Sequence, residues 1–213
     1  MTGHTRILSG LDLGQASDFT ALVVAEQTAG AGDRGVPVAR YAVRHMHRFP
    51  LGAPYPAMVG AVRDLFAKPP LAGSHLVVDR TGIGGPVYDL FRASGIRAAF
   101  SGWSITAGFR PGDGTVPKKD LVGAVQAVLG TRRLKVAPDL PLAETLGREL
   151  EAFRVKVTPD RNETFASWRE KDHDDLVLAL ALAVWTGERL GPPGPVPVPI
   201  VMGGDTVLSR SYG

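Results

Sequence analysis

A chain of 213 residues with 44% hydrophobic content can bury one substantial core, so a single domain is expected and two full ones would be cramped. There is no Cys, which excludes disulfides, thiolate zinc sites and a cysteine nucleophile. The net charge of +3 fits either contact with a polyanion or an ordinary surface with a small Arg excess, and no segment approaches the run of about 18 apolar residues that a membrane span requires.

In chain order, residues 6–14 read as a strand ending in Leu11-Asp12-Leu13-Gly14, and residues 19–27 as a second, joined to the first by a tight connection that makes the pair a hairpin. Residues 28–35 read as a loop and 36–49 as a long third strand with partial alternation, completing a meander. Residues 54–68 place Met58, Val59, Val62, Leu65 and Phe66 at the spacing of an amphipathic helix. Strands and helices then alternate: strand 75–79, helix 85–93, strand 96–100, helix 117–129, a short extended piece 134–136, and helix 140–153 with Leu142, Leu146, Leu150 and Phe153 on one side. Residues 154–168 read as a hairpin turning near Pro159-Asp160-Arg161-Asn162.

Residues 174–190 form a helix that is apolar nearly all round, hence one buried against the sheet. The proline-rich stretch after Gly191 reads as a flexible tail, giving a domain over 1–190 and a tail over 191–213. A meander followed by β-α units predicts an α/β fold with a mixed sheet and helices on both faces.

Within this frame, acids stand where acids are costly. Asp12 closes the first strand, Asp79 closes Leu76-Val77-Val78, and Asp174-Asp175 open the apolar last helix directly after His173. Each has a structural explanation. Asp12 can cap the Gly14 bend, Asp18 can accept from the amides of Phe19 and Thr20, and Asp79 can pair with Arg80 or serve as a helix N-terminal anion. One acid in the first turn of the last helix gains ~0.3–1 kcal/mol from the macrodipole, which explains one of the pair better than both. Gly82-Ile83-Gly84-Gly85 lacks the Lys-Ser/Thr of a phosphate loop and reads as a flexible turn. Jointly, carboxylates from separate elements converging on one point are what two divalent ions about 3.5–4 Å apart require for phosphoryl chemistry.

These motifs resemble the nuclease domain of the large subunit of tailed-phage terminases, within the ribonuclease H-like superfamily. Gly10-Leu11-Asp12-Leu13-Gly14 with Asp18-Phe19-Thr20-Ala21 is similar to that family's first motif, Val78-Asp79-Arg80-Thr81-Gly82-Ile83-Gly84 to its second, and His173-Asp174-Asp175-Leu176-Val177 to its third. The resemblance spans about residues 6–190. It implies a ribonuclease H-like fold and a metal-dependent endonuclease that cuts concatemeric viral double-stranded DNA during genome packaging, using two Mg²⁺ or Mn²⁺ ions. It implies Asp12, Asp79 and Asp175 as the catalytic and metal-binding core, with Asp174 and Asp18 as auxiliaries. His173 is then either a metal ligand or a group supporting the ligands, or merely the residue before a helix cap.

Arg154, Lys156, Arg161, Arg169 and Lys171, on and after the 154–168 hairpin, are candidate contacts to the DNA backbone, equally readable as a solvated charged surface. Lys118 and Lys119, opening a helix, read as solvent-facing or, alternatively, as phosphate-binding at the helix N-terminus. The implied partners are a packaging ATPase domain, a small terminase subunit and a portal, in the host-cell cytoplasm and away from any membrane. No Gly-x-x-x-x-Gly-Lys-Ser/Thr sequence occurs, so a nuclease unit without the motor, excised or freestanding, is expected.

Three other readings stay open. A Holliday-junction resolvase or transposase-like nuclease of the same superfamily would share the acids. A sugar-kinase or actin-like ATPase half would use Asp12-Leu13-Gly14 as a phosphate-binding turn. A non-catalytic interaction module of a packaging machine would need none of the acids.

Overall fold

The computed structural model describes residues 4–14, 18–107, 111–156 and 174–194. Seven strands form one sheet: β1 (Thr5–Asp12), β2 (Ala21–Ala31), β3 (Pro37–Arg48), β4 (His75–Asp79), β5 (Ala99–Thr106), β6 (Thr115–Pro117) and β7 (Leu134–Val136). Five helices accompany them: α1 (Tyr55–Phe66), α2 (Gly84–Ala93), α3 (Lys118–Gly130), α4 (Ala143–Lys156) and α5 (Asp175–Leu190). The strand order is β6-β5-β4-β1-β2-β3-β7. β1, β2 and β3 are antiparallel neighbours, while β4, β5 and β6 continue from β1 in parallel, so the expected mixed sheet, a meander followed by parallel β-α units, is present.

Side-chain alternation divides the core into two layers. Leu8, Ala21, Val23, Tyr41 and Val77 face the layer that contains α5, with residues of α3 and α4 beside it. Leu11, Leu22, Val24, Leu76 and Val78 face α1 and α2. Helices therefore cover both faces. α5 is buried from Asp175 through Gly187, which accounts for its apolar residues on every side: the sheet lies beneath it and other helices flank it.

Gly10 permits the close approach of α5 to β1, because a Cβ there would run into the backbone of Ala179 and Ala183. Further along, Gly187 lies against the Leu8 side chain, and Arg6 Nη1 donates to the Gly191 carbonyl at 3.1 Å. α5 thus runs antiparallel to β1, with its N-terminus over the C-terminal end of the strand.

Several boundaries differ from expectation. β2 continues through Thr28, Ala29, Gly30 and Ala31, which pair with Arg40, Ala39, Val38 and Pro37, so the loop is confined to the turn around Gly32–Gly35. β5 lies later than expected, where its parallel ladder to β4 matches Val77 with Ser101 and Asp79 with Trp103. β6 is three residues long and leaves no periodic trace. Gly84 and Gly85 open α2 instead of forming a flexible turn, and Gly84 packs on the Asp79 carbonyl so closely that a Cβ would collide with it. The backbone of Arg154 and Lys156 belongs to α4 and not to a hairpin strand. The rest of that hairpin, from 157 to 168, and most of the tail lie outside the described residues.

β3 contains an irregularity that bears on function. Val24 is opposite His45 but Ala25 is opposite Val43, so Arg44 is an extra residue in the strand. Tyr41 and Val43 face the α5 layer; strict alternation would next place residues 45 and 47 there. The bulge instead turns Met46 and Arg48 to that side, and Arg48 lies opposite Ala21. The partial alternation of the sequence at residues 36–49 has this physical cause.

Candidate active site

The parallel register between β1 and β4 runs Leu8 with His75 through Leu11 with Val78, so Asp12 and Asp79 follow side by side at the carboxyl ends of adjacent strands. Strand alternation aims both toward the α5 layer, since Gly10 and Val77 two residues earlier face it. Neighbouring strands lie about 4.8 Å apart. The antiparallel run of α5 brings Asp175, in its first turn, to the same end of the sheet. Asp12, Asp79 and Asp175 are only 8%, 3% and 3% exposed, so all three acids are removed from bulk water.

Each acid is engaged in a way that keeps its charge tolerable. Asp79 Oδ1 accepts from the Thr81 amide at 2.8 Å and from the Thr81 hydroxyl, whose oxygen in turn accepts from the Ile105 amide at 2.8 Å. Asp175 Oδ2 lies 2.7 Å from Arg48 Nε. The same guanidinium pairs with Glu149 of α4, whose other oxygen accepts from the Val177 amide at 3.0 Å. Phe19 caps the guanidinium, with the Arg48 carbon 5.0 Å from the ring centroid. Burial pushes the Glu149 carboxyl up to about 7; the Val177 amide and Arg48 oppose that rise, and the charges of Asp175 and Asp174 add to it.

Asp174 is half-buried, with Lys118 Nζ 4.0 Å from its Oδ2. Lys118 itself is 7% exposed, which corrects the expectation of a solvent-facing lysine. It follows β6, the last of the parallel strands, and so enters at the same end as the acids. Asp18 is exposed and lines a cavity of about 320 Å³ with Gly14, Thr20, Pro54, Tyr55 and Met58. Tyr55 donates to the Gly14 carbonyl at 3.0 Å and the Gly14 amide to Thr20 Oγ1 at 3.1 Å, so this turn is tied to α1.

Among the described residues, no three His, Asp or Glu side chains are gathered as a ready metal-binding group. The backbone brings Asp12, Asp79 and Asp175 to one end of the sheet. The side chain of Asp79 is hydrogen-bonded to Thr81, and that of Asp175 is in an ion pair with Arg48. The donor chemistry is nevertheless that of a hard divalent cation: buried carboxylate oxygens from three elements, with no thiolate in the chain. His173, Arg161, Arg169 and Lys171 lie outside the described residues, and Arg154 and Lys156 are placed only as backbone of α4.

Arg48, Glu149 and Lys118 belong to the site but were not singled out as part of it from sequence. Glu149 carried a usable signal, because it stands three residues after Leu146 on the stripe that α4 buries. Arg80 is exposed directly after Asp79 and stacks on Tyr88, 4.8 Å from the ring centroid. Gly102 leaves room for its stem, since a Cβ there would strike Arg80 and Tyr88.

No protein-family model matches the chain, and neither does any curated protein. Among solved structures, the large terminase nuclease from thermophilic phage G20c, with bound zinc, is 20% identical; the match covers 84% of this chain and 80% of that one at a TM-score of 0.53. The human cytomegalovirus terminase nuclease domain matches at 11% identity over 85% of this chain and 84% of its own, TM-score 0.48. The g2p large terminase nuclease domain from bacteriophage SPP1, with bound Mn, matches at 15% identity over 84% of both chains, TM-score 0.48. The likeness to the G20c nuclease is one of fold.

Proposed function

We propose that this chain is a metal-dependent endonuclease that hydrolyses phosphodiester bonds of double-stranded DNA. The observation that carries the reading is the meeting of Asp12 and Asp79, side by side on parallel strands, with the first turn of α5 and its Asp175. Three buried acids at one end of a sheet present the carboxylate oxygens that a hard divalent cation takes as ligands.

Asp12, Asp79 and Asp175 are the residues that would hold Mg²⁺ or Mn²⁺, two ions in the full reading, with Asp174 and Asp18 as auxiliaries. Such ions, when bound, supply Lewis acidity and an activated water for phosphodiester hydrolysis. The remaining work belongs to the chain. Thr81 fixes the Asp79 carboxylate by two hydrogen bonds, which sets the direction of its second oxygen. Lys118 places a buried positive charge beside Asp174, where it offsets the acids and meets an incoming phosphate. Arg80, braced on Tyr88, offers an exposed guanidinium to the DNA backbone beside Asp79. Arg154, Lys156, Arg161, Arg169 and Lys171 would extend that basic track, and His173 would support the acids behind it.

In the wider setting the chain would trim concatemeric viral DNA during packaging in the host cytoplasm, beside an ATPase domain, a small terminase subunit and a portal. Among the described residues no helix is long and apolar enough to cross a membrane. The test is incubation of supercoiled plasmid with the protein and Mg²⁺ or Mn²⁺, with and without EDTA. Nicked and linear products that disappear on chelation, and are not formed by Asp79→Asn, support the reading. Equal cleavage by Asp79→Asn overturns it.

A further inference from the structure

Arg48 is aimed at the acidic centre by a dedicated device. The Arg44 bulge in β3 turns Arg48 into the α5 layer, opposite Ala21. There it meets two carboxylates from different helices: Asp175 Oδ2 at 2.7 Å and Glu149. Glu149 is anchored independently of Asp175, by the Val177 amide at 3.0 Å. Phe19 covers the guanidinium, and the Arg48 side chain is 17% exposed. The three charged groups form a buried ion-pair network with one cation shared by two acids.

We infer that Arg48 is a resident counter-cation of the acidic centre, a positioning residue that holds Asp175 until a divalent ion takes its place. The inference rests on the metal-centre reading given above. A guanidinium in an ion pair with a carboxylate that is to ligate metal opposes a dication, because it adds a positive charge at short range in a poorly hydrated place. Glu149 completes the device. When Asp175 turns to a metal, the guanidinium keeps a carboxylate partner and is not stranded as an unpaired buried charge. In the absence of metal, the same guanidinium relieves the repulsion between Glu149 and Asp175, so the empty centre remains folded.

Mn²⁺ binding to the whole chain without DNA, followed by the electron paramagnetic resonance signal of free Mn²⁺, tests this apart from catalysis. The proteins are wild type, Arg48→Gln, Arg48→Lys and Asp175→Asn, each checked for folding by circular dichroism. Arg48→Gln is expected to bind Mn²⁺ more tightly than wild type by about tenfold or more, from removal of a charge at contact range. Arg48→Lys keeps the charge but cannot span both carboxylates, and is expected between the two. If Arg48→Gln does not fold, Arg48→Lys decides: tighter binding supports the inference, and wild-type affinity overturns it. Asp175→Asn is expected to weaken Mn²⁺ binding. Weakened binding in Asp175→Asn together with unchanged or weaker binding in folded Arg48→Gln overturns the role of Arg48 alone. Unchanged binding in Asp175→Asn overturns the metal-centre reading itself.

Discussion

Gly10 of β1 lies directly beneath the Ala179 carbonyl of α5, so close that the two elements meet backbone to backbone. This contact sets the height of α5 above the sheet. It therefore also sets where Asp175 stands relative to Asp12, one helical turn and one strand step away. Gly10→Ala is expected to force α5 outward, at a cost of about 2–4 kcal/mol in urea unfolding, since neither backbone can yield as a flexible side chain would. Wild-type stability in Gly10→Ala would show that the layer spacing is not set there.

At the opposite end of α5, Gln27 is completely buried in β2 and joins the helix to the sheet. Its Nε2 donates to the carbonyls of Gly187 at 2.9 Å and Gly191 at 3.2 Å, and to the Tyr41 hydroxyl at 3.1 Å, while Arg6 donates to its Oε1 at 2.8 Å. Gln27→Leu leaves helix-terminal carbonyls and an arginine without this partner. A loss of about 2–4 kcal/mol is expected in chemical denaturation. A loss below about 0.5 kcal/mol would mean that water replaces the amide without penalty.

Glu149 makes stability depend on pH in a direction unlike that of a salt-bridged surface acid. Its carboxyl is pushed up from 4.5 to about 7, chiefly by burial. As pH rises from the lower value to the higher, the unfolded chain releases this proton before the folded one does, so stability is lost through that window. Glu149→Gln cannot ionise. In EDTA, the stability of wild type minus that of Glu149→Gln is expected to fall by on the order of 3 kcal/mol between pH 4.5 and about 7. A flat difference would contradict the account of Glu149 as a desolvated acid.

That Asp12, Asp79 and Asp175 stand at the ends of apolar elements was legible in the sequence, because each closes or opens an apolar run. Asp12 and Asp79 end strands that are otherwise apolar and buried toward that end, and Asp175 precedes residues that read as buried helix. Arg48 was not legible, because its direction depends on the Arg44 bulge, and an alternation count that ignores the extra residue assigns it to the wrong face. Lys118 was misjudged because a lysine opening a helix is normally hydrated, whereas here it faces Asp174 across the end of the sheet. The end of β2 was read as loop since Gly30 and Ala31 lack strand propensity; their pairing to Val38 and Pro37 holds them in the ladder regardless.

Arg80 is expected to act on DNA affinity without regard to sequence. Its exposed guanidinium is braced on Tyr88 beside Asp79, in a position to meet a phosphate. Arg80→Ala should weaken binding of unrelated duplexes alike and lower the slope of log affinity against log salt by about 1. Fluorescence anisotropy on two duplexes across a salt series measures both quantities. An unchanged slope would remove Arg80 from the DNA contact.

Asp12 and Asp175, from opposite ends of the chain, are expected to serve one metal-dependent cleavage site. Plasmid linearisation in Mn²⁺ by wild type, Asp12→Asn and Asp175→Asn, at equal concentrations of folded protein, tests it directly. Loss of cleavage by roughly a hundredfold or more in both variants is the expected result, as for removal of groups that act as a unit. Wild-type cleavage by either variant would contradict it.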